Sequence, residues 1–251
     1  MNPKRALVRD IGDRYKSCLS THPLHSTLDL NLAREQHMAY CSALKELGLE
    51  IIRVPRDDER PDSVFVEDNV VVHGGKAIIC RMAKMSRRGE ETGVETVLKQ
   101  YLKVKRATSP ATVEGGDVVH LDNKLISGIS QRTNPEGIAQ MQEWLEVPVA
   151  TIFDPSIMHL KSYVTYLGRK IMIATERYAT HPALEGFQII IPPSNNEYAA
   201  DTLAVGETVL MAEGYPEAHK MVEEAGFDVV VLNVSEIQKC DGALTCMSVL
   251  F

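Results

Sequence analysis

Five stretches of the chain share one local grammar, and that periodicity narrows the fold more than composition does. Each has an apolar strand, a polar turn, and then a pair of short strands joined by a tight hairpin. The first reads LEIIRVP, PDSVFVEDNVVV and, after a turn at residues 73–76, AIICR. The second reads YLKVKRA, EGGDVVHL and LISGI; the third VPVATIF, HLKSYVTYL and IMIAT; the fourth FQIIIPP, AADTLAV and VLMAE. The fifth begins FDVVVLNV and stops at DGALTCMSVLF. With Gly75, Asn123, Arg169 and Glu207 as hairpin markers, the spacings are 48, 46 and 38 residues, a period typical of radial or stacked arrays. The fifth unit lacks its last strand, and the unassigned strand at residues 5–9 is free to supply it. A ring closed in that way leaves no open sheet edge between its first and last units.

Helical patterns lie between the strands. Residues 29–47 carry Leu32, Ala39, Ala43, Leu44 and Leu47 near helical spacing, with Gly48 as the stop. Asn134-Pro135-Glu136 has the form of a helix start, an N-cap followed by proline at the first position. Residues 90–101 and 216–225 read the same way, the latter ended by Gly226. The expectation is an α/β fold, a five-bladed propeller of ββαβ-type repeats around a central site. Residues 1–251 then form one domain.

Composition removes several classes. The 44% hydrophobic and 24% charged content is that of a globular chain with a buried core. The apolar runs are strand length, far short of the ~18 residues a membrane helix needs. The N-terminus reaches charged residues before any apolar leader forms, so an intracellular, cytoplasmic protein is expected. A net charge of -7 argues against nucleic acid as a partner and accords with a cationic one. Five scattered cysteines without a C-x-x-C pair argue against a disulfide framework and a structural zinc site.

In such a ring the first residues of the inner strands face a shared cavity. Those places hold Asp62, Glu67 and Asp68, then Glu114 and Asp117, then His159, then Asn196 and Glu197, then Asp241 and Cys246. A guanidinium hydrolase needs this kind of set. The planar cation calls for carboxylates that match its N–H groups. Its poorly electrophilic carbon calls for a thiolate. The departing amine needs a proton, which a histidine held by a carboxylate can give.

At these residues the sequence resembles the dimethylarginine dimethylaminohydrolase family, within the guanidino-group modifying superfamily that shares the five-bladed pentein fold. The motifs are PDSVFVED at residues 61–68, SRRGE at 86–90, EGGD at 114–117, RTN at 132–134, HLKS at 159–162 and DGALTC at 241–246. The resemblance implies that Cys246 is the nucleophile, His159 the general acid and base, and Glu114 its orienting carboxylate. It implies that Asp62, Glu67 and Asp68 bind the guanidinium and amino ends of a cationic amino acid, and that Arg87 and Arg132 hold its carboxylate. Leu19 matches a lid loop whose backbone carbonyl meets the substrate amino group, and Asp241 belongs with the substrate-binding residues. The implied reaction gives citrulline through a thiouronium intermediate, with no metal or organic cofactor.

Plainer roles stand beside these. Cys41 and Cys80 sit in apolar patterns and read as small core residues. Asp62 and Glu114 suit turn caps, Glu67 and Asp68 a solvated strand edge, and Arg87 a wet basic run. Arg132 precedes a helix start, where an anion also binds. Asp117 and Asp241 suit tight turns, while His22 and His25 fall in the lid. Among rival functions, arginine deiminase shares the chemistry on unmethylated arginine, and a non-enzymatic ribosome-binding ring protein shares the architecture without the catalytic set. Amidinotransferases are longer. Helical faces on the ring's outside leave room for a homo-oligomer.

Overall fold

Local sequence chemistry starts and stops the helices where expected. In the computed structural model, which describes residues 3–251, β1 (Arg5–Arg9), α1 (Leu30–Glu46) and β2 (Glu50–Val54) come first. The Asp29 side chain caps α1 by accepting from the backbone N–H groups of Asn31 and Leu32, and Gly48 leaves the helix at a φ of 87°. Next come β3 (Val70–His73), β4 (Lys76–Ile79), α2 (Glu91–Leu98) and β5 (Lys103–Arg106). Then follow β6 (Val118–His120), β7 (Leu125–Ile129), α3 (Pro135–Leu145) and β8 (Val149–Phe153). Asn134 caps α3 through Gly137 N–H, with proline at its first turn. The chain continues through β9 (Val164–Gly168), β10 (Ile171–Ala174), β11 (Gln188–Ile190), β12 (Leu203–Val205) and β13 (Thr208–Ala212). It ends with α4 (Pro216–Glu224), β14 (Asp228–Leu232), α5 (Ser235–Gln238) and β15 (Ser248–Leu250).

These strands make five three-stranded sheets, in the orders β3-β4-β5, β6-β7-β8, β9-β10-β11, β12-β13-β14 and β15-β1-β2. In each, an inner strand pairs antiparallel with a middle strand, which pairs parallel with an outer strand. β1 lies antiparallel to β15, so the N-terminal strand completes the last blade as expected.

The middle strands are buried on both faces, because alternate side chains enter different cores. Ile78 packs with the second blade, whereas Ala77 and Ile79 pack with the fifth. Met172 packs with the second blade while Ile171 and Ile173 face the fourth. In β1, Ala6 and Val8 share a core with the fourth blade and Leu7 one with the first. The apolar material is thus a ring of wedges between adjacent blades.

Three expectations need correction. The strand that opens each sequence unit belongs to the sheet of the preceding blade: YLKVKRA supplies β5, which pairs with β4. Hydrophobic pattern alone is silent about which neighbour a strand joins. PDSVFVED and HLKS, read as strand, are largely turns, with the 3-10 segments Val66–Asn69 and Leu160–Ser162 preceding the inner strands. Finally, Cys18 and Cys240 form a disulfide across a sequence separation of 222 residues, with their Cα atoms 5.9 Å apart. Spacing conceals this pair because ring closure, not the local chain, brings the two segments together. Cys41 and Cys80 are buried free thiols, in keeping with core roles.

Candidate active site

The polar residues at the centre come from equivalent places in successive blades. Each inner strand is preceded by a tight turn whose polar side chains gather at the centre, while its apolar ones, such as Val66 and Leu160, join the interblade cores. Glu114 and His159 occupy the same position, immediately before 3-10 turns Gly115–Asp117 and Leu160–Ser162, with φ/ψ of -131/137° and -135/142°. Glu67 and Asp68 lie within the turn before β3, and Cys246 two residues before β15. Gly115 and Gly116 permit these turns to meet. A Cβ on Gly115 would lie 2.0 Å from the Glu67 carbonyl oxygen, and one on Gly116 would lie 2.6 Å from Asp68 Oδ1 and 2.8 Å from the His159 ring. Side chains at either position would force the blades apart.

His159 Nε2 is 2.9 Å from Glu114 Oε2 and 3.6 Å from Asp68 Oδ1, so Nδ1 is the ring nitrogen left for a ligand. Glu114 is fully buried and held in turn, accepting from Ala83 N–H at 3.0 Å. Arg87 Nη1 donates to Asp68 Oδ2 at 2.8 Å and its Nη2 to Glu90 Oε2 at 2.8 Å. Gly116 N–H donates to Asp68 Oδ1. Burial by itself would lower the His159 pKa, but the Asp68 charge, the Glu114 hydrogen bond and Asp117 outweigh it and raise it to about 9. Burial likewise works to raise Asp68, yet His159 and Arg87 hold its carboxyl below the ordinary range. Imidazolium and the Asp68 carboxylate therefore coexist at neutral pH.

Cys246 and His159 open into one cavity of about 250 Å³, whose walls also include Glu67, Lys161, Asp201, Asp241, Gly116 and Thr21. Burial, then the carboxylates of Asp201, Glu67 and Asp68, push the Cys246 thiol well above its usual range. Without a cation in the cavity, a neutral thiol beside a charged imidazolium is favoured. A larger cavity of about 930 Å³ follows the inner strands and holds none of Cys246, His159 or Glu114. Both cavities touch Glu67, Lys161 and Thr245, so the Glu67–Lys161 ion pair, at 2.6 Å, lies between them.

Other residues from the sequence reading surround this centre. Asp62 is buried and accepts from Leu19 N–H at 3.1 Å, which ties residues 18–27 to the first blade. Asp241, at a φ of 53°, accepts from Thr21 N–H and Oγ1 and secures the same segment to the last blade. Arg87 and Arg132 are buried, not wet, and Arg132 Nη1 approaches Glu114 Oε1 at 3.8 Å. Among the described residues, Arg132 Nε and Nη1 find no hydrogen-bond partner. Asp117 is a turn anchor, accepting from Leu160 N–H and the Ser130 hydroxyl. Glu67 is committed to Lys161 through one oxygen, while its buried Oε2 has no partner among the described residues. His22 and His25 are half-buried.

Sequence reasoning placed Asn196 and Glu197 at the centre for the fourth blade, and here it misses. Glu197 is exposed, and Asp201, at the end of the 3-10 turn Glu197–Ala200, reaches the cavity instead. Two residues, Asp201 and Thr202, separate this turn from β12, and the first of them takes the inward place. Lys161 and Glu90 were also missed as partners, although both lie within the quoted motifs HLKS and SRRGE. A cation two residues from His159 and a carboxylate three residues from Arg87 were the available signals.

Known proteins share this sequence and fold. The family model for eukaryotic N,N-dimethylarginine dimethylhydrolase matches residues 20–180. The N(G),N(G)-dimethylarginine dimethylaminohydrolase of Pseudomonas aeruginosa is 36% identical over 228 residues, 89% of this chain and 90% of the relative. That of Streptomyces coelicolor is 35% identical over 253 residues, 99% and 97% of the two chains. The crystal structure of a mutant of the Pseudomonas aeruginosa enzyme complexed with citrulline superposes with a TM-score of 0.95 at 35% identity, covering 100% of both chains. With the family model matching residues 20–180 and relatives 35–36% identical almost end to end, the chain belongs to the dimethylarginine dimethylaminohydrolase family.

Proposed function

We propose that the protein hydrolyses a guanidinium C–N bond of N-ω-methylated arginine, giving citrulline and a methylamine or dimethylamine. The observation that carries this reading is the shared cavity of Cys246 and His159, walled by carboxylates and backed by buried Glu114. The complex of a relative with citrulline, the product, supports it.

The substrate enters as a cation, and its charge offsets the carboxylates that hold the Cys246 thiol protonated. The thiol then releases its proton to solvent, and sulfur attacks the guanidinium carbon, forming a C–S bond as the C=N π pair moves onto nitrogen. His159 Nδ1 gives its proton to the methylated nitrogen as the C–N bond breaks, and the neutral amine departs. Water adds to the thiouronium carbon with one proton passing to His159; the second is released as the C–S bond breaks and the carbonyl forms, so citrulline leaves, and that proton goes to solvent or returns to the sulfur. Glu114 keeps the imidazole oriented and basic through the 2.9 Å hydrogen bond to Nε2. Asp62 and Asp68 suit the cationic ends of the substrate, whereas Arg132, whose buried Nε and Nη1 have no hydrogen-bond partner among the described residues, suits its carboxylate. Arg87, bound to Asp68 and Glu90, acts best by positioning Asp68.

Citrulline release from dimethylarginine, monomethylarginine, arginine and agmatine, measured side by side, tests this reading. The methylated arginines should be turned over with the highest kcat/KM, and Cys246→Ser should abolish release. A preference for arginine with ammonia as product would replace the reading with a deiminase.

A further inference from the structure

The fourth blade contributes a carboxyl that the proposed chemistry leaves unused. Asp201 ends the 3-10 turn Glu197–Ala200, is 4% exposed, and lines the same cavity as Cys246 and His159. Its Oδ1 accepts from the Thr245 hydroxyl at 2.8 Å, and Thr245 immediately precedes the thiol. The charged and titratable groups around it are Glu67 from the turn before β3, Lys161 from that before β9, Cys246 from the turn before β15, and Tyr198 from its own turn. Lys161 is the cation among them, and it is bonded to Glu67 at 2.6 Å. Among the described residues no Lys, Arg or His forms an ion pair with Asp201.

A buried carboxyl without a cation of its own is costly as an anion and favours either protonation or a positively charged ligand. Burial, with Glu67 nearby, raises Asp201 to about 7, so at neutral pH it is partly protonated. A guanidinium in the cavity supplies the missing charge and several N–H donors.

Resting on the function proposed above, we infer that Asp201 is a substrate-binding residue, a carboxylate from the fourth blade that contacts the guanidinium beside Cys246 and becomes fully ionised when the cation arrives. Without the cation its negative charge opposes thiolate formation; with the cation bound it helps to hold the charge that promotes it. Asp201 thereby couples ionisation of the thiol to the presence of substrate.

The two states give effects of opposite sign, which separates this role from a structural one. Asp201→Asn retains an oxygen to accept from Thr245 but carries no charge. In the free protein, alkylation of Cys246 by iodoacetamide should become faster, with its pH profile moved to lower pH. The KM for dimethylarginine should rise about tenfold or more, the scale of a lost charged hydrogen bond, and propylguanidine should bind more weakly by a similar factor. An unmoved alkylation profile with KM and propylguanidine affinity within about twofold of the parent would overturn the inference and leave Asp201 as a support for Thr245. Alkylation and propylguanidine binding need no turnover, so they test Asp201 even if methylated arginine proves not to be a substrate. Should the variant fail to fold, infrared difference spectra of the unaltered protein at pH 6 carry the test. Loss of a protonated-carboxyl band on adding propylguanidine is expected, and its persistence would refute the assignment.

Discussion

Glu114 and His159 show how one hydrogen bond serves both stability and chemistry. The 2.9 Å contact orients the ring and, with Asp68, raises the imidazole to about 9. Glu114→Gln should lower kcat by about 10²–10⁴, the usual range for general acid–base groups, and move the alkaline limb of the pH–rate profile to lower pH. The raised His159 pKa also has a thermodynamic sign. Relative to an unfolded value near 6.5, its stabilising contribution is complete below that value and disappears as pH rises through about 9. Asp201 and Asp117, raised by burial to about 7 and about 6, act in the same direction at lower pH, since protonation of each favours the folded state. Melting temperature should therefore fall from pH 6.5 to pH 9, and His159→Gln should flatten that slope in calorimetric scans. Residue types at the centre were legible from motifs. Burial was not: Arg87, in a basic run typical of wet surfaces, is enclosed by Asp68 and Glu90.

At the scale of elements, caps and stops can be read directly because they depend on neighbours within a few residues. Asp29, Gly48, Asn134 and Gly226 mark helix boundaries as expected. The third crossover differs, since between β10 and β11 the chain has the 3-10 turn Pro182–Leu184 in place of an α-helix. This accounts for the short spacing of 38 residues between markers 169 and 207. Residues 18–27 are also defined by long-range bonds: the Cys18–Cys240 disulfide, Leu19 N–H to Asp62, Thr21 to Asp241, and the Ser20 hydroxyl to the Lys239 carbonyl. Replacing both cysteines with serine should lower stability by about 2–4 kcal/mol, as for other disulfides closing long loops. Denaturant titration would measure that loss. Because the Thr21 and Leu19 contacts remain, kcat should change little, while proteolysis within residues 18–27 should accelerate.

At the scale of the molecule, the last sheet is assembled from both ends of the chain. Lys4 and Arg5 N–H groups donate to the Phe251 carbonyl at 3.0 and 2.9 Å, which sets the two ends side by side. We propose that the described chain folds as a single cooperative domain for this reason. A circular permutant with those ends joined by a short linker and new termini at the exposed hairpin residues Arg169 and Lys170 should fold and retain turnover. Deleting residues 248–251 should instead abolish cooperative unfolding, since it removes β15 and exposes Leu7 and Val70 in the core it helps to cover. Circular dichroism and calorimetry distinguish the two outcomes.

Sequence alone determined the repeat, the helix boundaries and candidates for the inward polar residues in every blade but the fourth, because these rest on short-range periodicity, capping and turn chemistry. It also determined that the N-terminal strand had a vacancy to fill in the fifth blade. Tertiary structure decided the phase of the repeat, the Cys18–Cys240 bond, the pairing of Glu67 with Lys161 and the presence of Asp201 beside Cys246. Each of these depends on residues that meet only when the ring closes, where burial and mutual charge, not neighbours along the chain, set what a side chain can do.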